Sequence, residues 1–245
     1  MKVVSPYRPG PAVSMEHRRL GPFDWDRALK CLRVSVRAAC GCETYTLTGS
    51  DCIVPQPALK YVTRQPSLML WILEVCLRYL ESPAFDDDTV MISPDVLVFQ
   101  DLRPWGTADL GLIVRPERKY AERPILNGVQ WWSVAAKDRL VAFYRDALRI
   151  GETLPAASHV WGGDTEPIVE LVSPIVVGMV RRAGMRVRLI QQSEVIHELS
   201  TRDQRALDCG EPPQPPTRAI VDFKYLRKRY LQGYFDATIG SAVAS

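Results

Sequence analysis

The chain has 245 residues, 47% of them hydrophobic and 24% charged, ordinary globular composition with enough length to bury one substantial core or two small ones. Disorder, collagen-like repeats and small disulfide scaffolds are thereby excluded. Thirty-one Lys and Arg against 28 Asp and Glu leave a formal net charge of +3, so a basic surface can arise only through local clustering.

Residues 2–6 form a short β-prone run that ends in the turn-rich Ser5-Pro6-Tyr7-Arg8-Pro9-Gly10, as a first strand running into a loop would. Pro6 and Arg8 interrupt the apolar core that a signal peptide needs, so a soluble, non-secreted, cytoplasmic chain is expected. Asp24 is placed to N-cap a helix in which Trp25, Ala28, Leu29, Leu32 and Val36 recur at helical spacing. Tyr45-Thr46-Leu47-Thr48 reads as a strand stopped by Gly49-Ser50-Asp51. Residues 67–80 are helical in period but apolar on nearly every side, which predicts a helix packed on more than one face. The apolar stretch inside it is too short to span a bilayer and contains Glu74.

Residues 89–92 and 96–99 are β-rich runs flanking Ser93-Pro94-Asp95, the pattern of a buried strand opening into a functional loop. Residues 110–114 and 125–132 predict further strands, followed by a helix over 138–148 with Leu140, Val141, Tyr144, Ala147 and Leu148 inward. A short helix is expected over 165–171 after Gly162-Gly163-Asp164, and a late strand over 187–190. Glu211-Pro212-Pro213-Gln214-Pro215-Pro216 can propagate neither regular element and marks an extended connection before a basic C-terminal stretch. Strands alternating with helices over most of the length argue for one α/β domain.

Several side chains carry two readings at this level. Asp95, just past a buried run, is where open α/β sheets bind ligands, and is equally a turn-capping Asp after Pro94. Asp86-Asp87-Asp88 reads as a solvated loop, because repulsion among adjacent carboxylates is easiest to tolerate in water. Asn127-Gly128 suits a hairpin turn, or a polar contact with close backbone approach. Asp164 either caps the helix that follows it or offers its carboxylate to a ligand. Trp131, Trp132 and Trp161 present flat faces for a sugar or base, and strand alternation predicts that one of Trp131 and Trp132 is core and the other exposed. Of the three histidines only His197 is kept as a distant metal candidate, and Cys40-x-Cys42, with no second ligand pair, reads as ordinary thiols. The basic clusters Arg181, Arg182, Arg186, Arg188 and Lys224, Arg227, Lys228, Arg229 are solvated faces or a surface for an anionic polymer.

The run Val90-Met91-Ile92-Ser93-Pro94-Asp95-Val96-Leu97-Val98-Phe99 resembles the segment around the metal-binding Asp-x-Asp motif of GT-A glycosyltransferases, with Ser93 in place of the first Asp. Leu126-Asn127-Gly128-Val129 is similar to the family's Asn-x-Gly-Val stretch, and Gly162-Gly163-Asp164-Thr165 to its Gly-Asp-Gln stretch. Residues 222–228 have the spacing of the late His-x-x-Gly-x-x-Lys motif, with Asp222 for His and Tyr225 for Gly. The matches follow the family's order over about residues 2 to 230.

The resemblance implies an α/β fold, a single GT-A (Rossmann-like) nucleotide-sugar transferase domain over residues 1–245 with a mixed central sheet, in which residues 211–245 complete the donor site. It implies transfer of a sugar from a nucleotide-diphosphate donor, first among them a UDP-sugar, with retaining chemistry and Mn²⁺ or Mg²⁺ as cofactor. Asp95 and Asp222 would then be metal ligands, Asp164 and Asn127 catalytic, and Tyr7, Arg8, Ser93, Asn127, Gly128, Lys224 and Lys228 donor-binding. Trp131, Trp132, Trp161 and Arg227 would meet the acceptor. An Asp for the family's His keeps a ligand and favours a hard ion, whereas the neutral hydroxyl of Ser93 is a poorer ligand than carboxylate. The basic clusters point to a hydroxymethylated base in DNA as acceptor, as for the modifying glycosyltransferases that phages encode, which would then work in the host cytoplasm. A transferase of bacterial surface polysaccharide is the alternative within the enzyme class. Outside it stands a non-catalytic nucleic-acid-binding protein on a degenerate GT-A fold.

Overall fold

The computed structural model describes residues 1–9, 23–115, 124–155, 164–223 and 225–240. In chain order its first half comprises β1 (Lys2–Pro6), α1 (Trp25–Cys40), β2 (Thr44–Gly49), β3 (Ala58–Tyr61), α2 (Leu68–Glu81), β4 (Thr89–Ile92), β5 (Val96–Val98) and β6 (Leu110–Val114). There follow β7 (Ile125–Trp132), α3 (Lys137–Thr153), α4 (Glu166–Val172), β8 (Gly178–Arg182), β9 (Met185–Gln191), α5 (Gln192–Val195), β10 (Ile196–Glu198), α6 (Thr201–Asp208), β11 (Ile220–Asp222) and α7 (Leu231–Phe235). These fall into two compact units, Met1–Arg8 with Tyr45–Ser93 and Arg103–Gln192, and Pro9–Thr44 with Pro94–Leu102 and Ser193–Ser245.

The first unit is built on a mixed sheet of order β3-β2-β1-β4-β7-β6-β9-β8. β1 and β4 run parallel, β7 is antiparallel to both β4 and β6, and β6 and β9 are parallel, so β1, β4, β6 and β9 all end at one edge. Helices α2, α3 and α4 lay Leu70, Trp71, Tyr79, Phe143, Tyr144 and Ile168 against Val4, Met91, Leu112, Trp132 and Val187. Each large apolar side chain so buried contributes about 1.5–3 kcal/mol. As its composition predicts, α2 buries residues around most of its circumference. Its buried Glu74 is satisfied by the backbone: Oε2 accepts from Arg64 N at 2.7 Å and Gln65 N at 2.9 Å.

The second unit carries a three-stranded sheet, β10-β11-β5. Asp24 caps α1 as its sequence predicts, accepting from Arg27 N at 2.9 Å, and Gly41 ends the helix in the left-handed region (φ 64°) with its N–H on Arg37 O. Ser35, on the buried stripe of α1, accepts from Val98 N at 3.0 Å and so serves an amide of edge strand β5. Its core gathers Ala28, Cys31, Leu97, Leu199, Val221, Phe223, Leu231 and Tyr234. The segment 211–216 belongs to neither helix nor strand and is tied back to α6, with Gln214 N donating to Asp203 Oδ1 at 3.0 Å.

One expectation is revised and one is extended. Both Trp131 and Trp132 are buried, at 2% and 1% exposure, because β7 is an interior strand covered on both faces. Trp132 packs edge-on against Tyr144, while Trp131 lies against Gly111, where an added Cβ would come within 3.1 Å of it. The acidic triplet is exposed, but it is also engaged. Lys2 pairs with Asp86, and Asp88 Oδ1 accepts from Val134 N at 2.8 Å and Ser133 Oγ at 3.1 Å.

Candidate functional site

In the first unit the polar residues collect where β4 ends. Opposite β6, the register of β7 jumps from Gln130 to Leu126 while β6 advances by one residue, so Asn127, Gly128 and Val129 form a bulge within the strand, not a hairpin turn. Ser93 N donates to Gly128 O at 2.7 Å, which brings Ser93 to the same edge. Bulges re-aim side chains, and here Asn127 and Gln130, three apart, meet instead of pointing to opposite faces. Gln130 Nε2 donates to Asn127 Oδ1, and Asn127 Nδ2 donates to Asp164 Oδ2 at 2.8 Å.

This chain of bonds has a single direction. Tyr144 O–H and Trp132 Nε1 (3.1 Å) both donate to Gln130 Oε1, which leaves the Gln130 amide nitrogen for Asn127 and the Asn127 amide nitrogen for the carboxylate. Burial, with the neighbouring Cys76 and Asp164 adding to it, pushes the Tyr144 hydroxyl well above its ordinary value, so it stays a donor. Asn127 is 8% exposed and Gln130 1%, while Asp164 is half-buried and keeps a face toward solvent. Asp164 is not the N-cap of α4, which is Thr165. Asn127 aims the Asp164 carboxylate through Oδ2, while Oδ1 accepts from the hydroxyl of Thr165 at 3.3 Å.

At the end of β1, Tyr7 N bonds Leu47 O at 2.9 Å. The Arg8 guanidinium donates to the carbonyls of Gln65 (3.2 Å) and Pro66 (3.3 Å) and lies 5.8 Å from the Trp71 ring centre. Glu74, which holds the 64–65 amides, and Trp71 thus shape the loop beside Arg8.

In the second unit Asp95 and Asp222, 4% and 6% exposed, lie next to one another in backbone terms. Phe223 N donates to Asp95 O at 3.0 Å and Asp222 pairs opposite Val96. Lys228 Nζ sits 3.3 Å from Asp95 Oδ2 and 4.3 Å from the centre of the Trp25 ring, so its charge is held between a carboxylate and an aromatic face. Arg227 pairs with Glu198 at 3.5 Å, and Arg229 with Asp208 at 3.8 Å. His197, on β10 opposite Val221, is half-buried. Among the described residues no group of three His, Cys, Asp or Glu is arranged to hold a metal ion. Two carboxylates nevertheless suit a hard cation such as Mg²⁺, which binds through one or two protein oxygens and completes its shell with water and substrate phosphates.

The structure therefore joins Asn127, Gly128, Ser93 and Asp164 in one unit, and Asp95, Asp222 and Lys228 in the other. Trp131 and Trp132 lie at the far end of β7 from Asn127. Lys224 and Trp161, with Gly162 and Gly163, lie outside the described residues. Gln130, Tyr144 and Trp25 were not singled out from sequence as site residues. Gln130 had a signal, as a polar interruption in the otherwise apolar end of a strand three residues after Asn127.

No protein-family model matches the chain, and no curated protein sequence matches it. Solved structures do. A glycosyltransferase involved in the glycosylation of the major capsid of PBCV-1 superposes with a TM-score of 0.56 at 11% identity, covering 94% of this chain and 98% of that one. The fold is that of GT-A glycosyltransferases. The glycosyltransferase GlyE of Streptococcus pneumoniae TIGR4 superposes with a TM-score of 0.56 at 12% identity over 95% of this chain, and its apo form with 0.55 at 11% identity over 99%. The chain spans about 60% of the length of GlyE. No helix among the described residues is long and apolar enough to cross a membrane.

Proposed function

We propose that the protein is a glycosyltransferase that moves a sugar from a nucleotide-diphosphate donor, a UDP-sugar first among them, to a hydroxyl acceptor. The observation that carries this reading is the directed bond from Asn127 to Asp164 at the carboxyl edge of a GT-A-type sheet. A half-buried carboxylate whose direction is set by an amide is suited to sugar hydroxyls and to a cation-like anomeric centre. Gly128 and Ser93 present backbone and hydroxyl at the same edge, and Tyr7 and Arg8 offer ring and charge to the nucleotide.

Asp95 and Asp222 are the residues that would hold Mn²⁺ or Mg²⁺. When bound, the cation supplies neutralisation of the charge that grows on the departing diphosphate. Lys228 supplies a positive charge of the protein's own for the same phosphates, and its pairing with Asp95 keeps its ammonium in place. On this reading residues 211–245 contribute Lys228 and Asp222 to donor handling, and residues 1–245 act as one catalytic domain. Retention of anomeric configuration is proposed on the family resemblance.

For the acceptor we propose a sugar hydroxyl. Arg227, Lys228 and Arg229 are each matched by a carboxylate, which weakens the C-terminal basic run as a polyanion surface. The test is nucleotide release from a panel of nucleotide sugars with Mn²⁺ or Mg²⁺, with a sugar acceptor and, in parallel, with hydroxymethylated DNA. Release stimulated by sugar supports the proposal, and release stimulated by the DNA moves the acceptor to the modified base. Absence of release from every donor, with retained DNA binding that salt abolishes, would establish the non-catalytic binding protein instead.

A further inference from the structure

Residues 171–193 contain four arginines and no Asp or Glu. They form the ribbon β8–β9, with β8 at the edge of the large sheet. Register places Arg181 directly opposite Arg186 and Met179 opposite Arg188, so these four side chains share one face, while Val180 and Val187 pair on the other. Like charges directly opposed destabilise a ribbon. The nearby carboxylate, Asp109, serves two guanidiniums at once, Arg139 at 3.2 Å and Arg186 at 3.4 Å. Arg188 is braced over the Trp105 ring at 5.5 Å and donates to Thr107 Oγ1 at 2.8 Å.

Beside these charges lie apolar side chains in solvent. Met179 is 52% exposed, and Val176 and Val177, on the approach to β8, are 56% and 39% exposed. Arginine on an edge strand opposes the addition of another strand, which disfavours a second copy of the chain or an extended peptide as the occupant. A nucleic-acid backbone would use the arginines and leave the valines and Met179 wet. A bilayer surface with anionic headgroups uses both, pairing guanidinium with phosphate while the apolar side chains enter the acyl boundary.

We propose that the β8–β9 face, with Val176, Val177 and Met179, docks the protein on an anionic lipid surface. The proposal does not depend on the transferase reading. The full chain is co-sedimented with phosphatidylcholine vesicles with and without phosphatidylglycerol, at low and high salt. Sedimentation with the anionic vesicles alone, reversed by salt, is expected. Arg181→Glu places a carboxylate opposite Arg186, which favours the fold, and is expected to weaken vesicle binding about tenfold or more with a melting temperature no lower than that of the unaltered protein. Met179→Ser tests the apolar contribution, with weaker binding expected at unchanged net charge. Failure to sediment with anionic vesicles at low salt, undiminished binding by Arg181→Glu, or retention of duplex DNA in preference to the vesicles that Arg181→Glu abolishes, would each overturn the proposal.

Discussion

Asn127 Nδ2 donates to Asp164 Oδ2 at 2.8 Å, linking the bulge of β7 to the residue that leads into α4. The bond sets the carboxylate's direction. Asn127→Asp replaces the donor with a second carboxylate and leaves the backbone bulge in place. Turnover of the nucleotide-sugar donor is expected to fall by about 10²–10³-fold, measured as nucleotide release, with circular dichroism unchanged.

Gln130 acts one step further back. Gln130→Leu leaves the Tyr144 hydroxyl and the Trp132 N–H buried without their shared acceptor, at a cost of about 1–3 kcal/mol. Denaturant melts should show that loss. Because Gln130 orients Asn127, turnover should fall more than donor affinity, and an unchanged turnover number would show that Asn127 holds its direction unaided.

The Lys228–Asp95 pair is nearly enclosed, with side chains 12% and 6% exposed. Asp95→Asn leaves the ammonium on Trp25 without its counter-charge and should cost about 1–3 kcal/mol. Lys228→Ala should respond differently. It removes the ammonium that competes with a cation at Asp95 Oδ2, so Mn²⁺ should raise its melting temperature more than it raises that of the unaltered protein. Equal shifts for both proteins would place the metal elsewhere.

Asp203 closes a capping box with Ser200 and also receives Gln214 N. Burial alone would raise its carboxyl, but the Ser200 hydroxyl, the Gln214 and Ser200 amides and the nearby His197 hold it below the ordinary value of 3.8. A depressed folded value means that the stabilisation is present above pH 3.8 and lost as pH falls through the lower folded value. Asp203→Asn should remove about 1 kcal/mol near neutrality and flatten the acid limb of stability against pH. An identical acid limb would show that Asp203 does not control it.

Gly111 lies where Trp131 crosses β6. An added Cβ would meet Trp131 Cβ at 3.1 Å and Cε3 at 3.3 Å, both held by the sheet. Gly111→Ala should destabilise by about 1–3 kcal/mol through overpacking, read from the denaturant midpoint.

The sequence alone determined where the long elements lie, although α3 runs on to Thr153, past the expected end at 148. The 3.6-residue period of α1, its Asp24 cap, the all-round apolarity of α2 and the apolar runs of β4, β6 and β7 are local properties that short-range sterics and hydrogen bonding make legible. The very short strands β10 and β11, three residues each, carry too few positions for a period and exist through pairing with β5 and with each other. The order of motifs was likewise legible, and with it the expectation of this fold.

What only the tertiary structure decided is which side chains meet. A bulge, defined by register against β6, turned Asn127 toward both Gln130 and Asp164, where unbroken alternation would have separated Asn127 from Gln130. Placement inside the sheet buried both tryptophans, and the turn of the chain after β11 brought Lys228 to Asp95. Side-chain meetings of this kind depend on strand pairing and packing between segments far apart in sequence, and no local propensity encodes them.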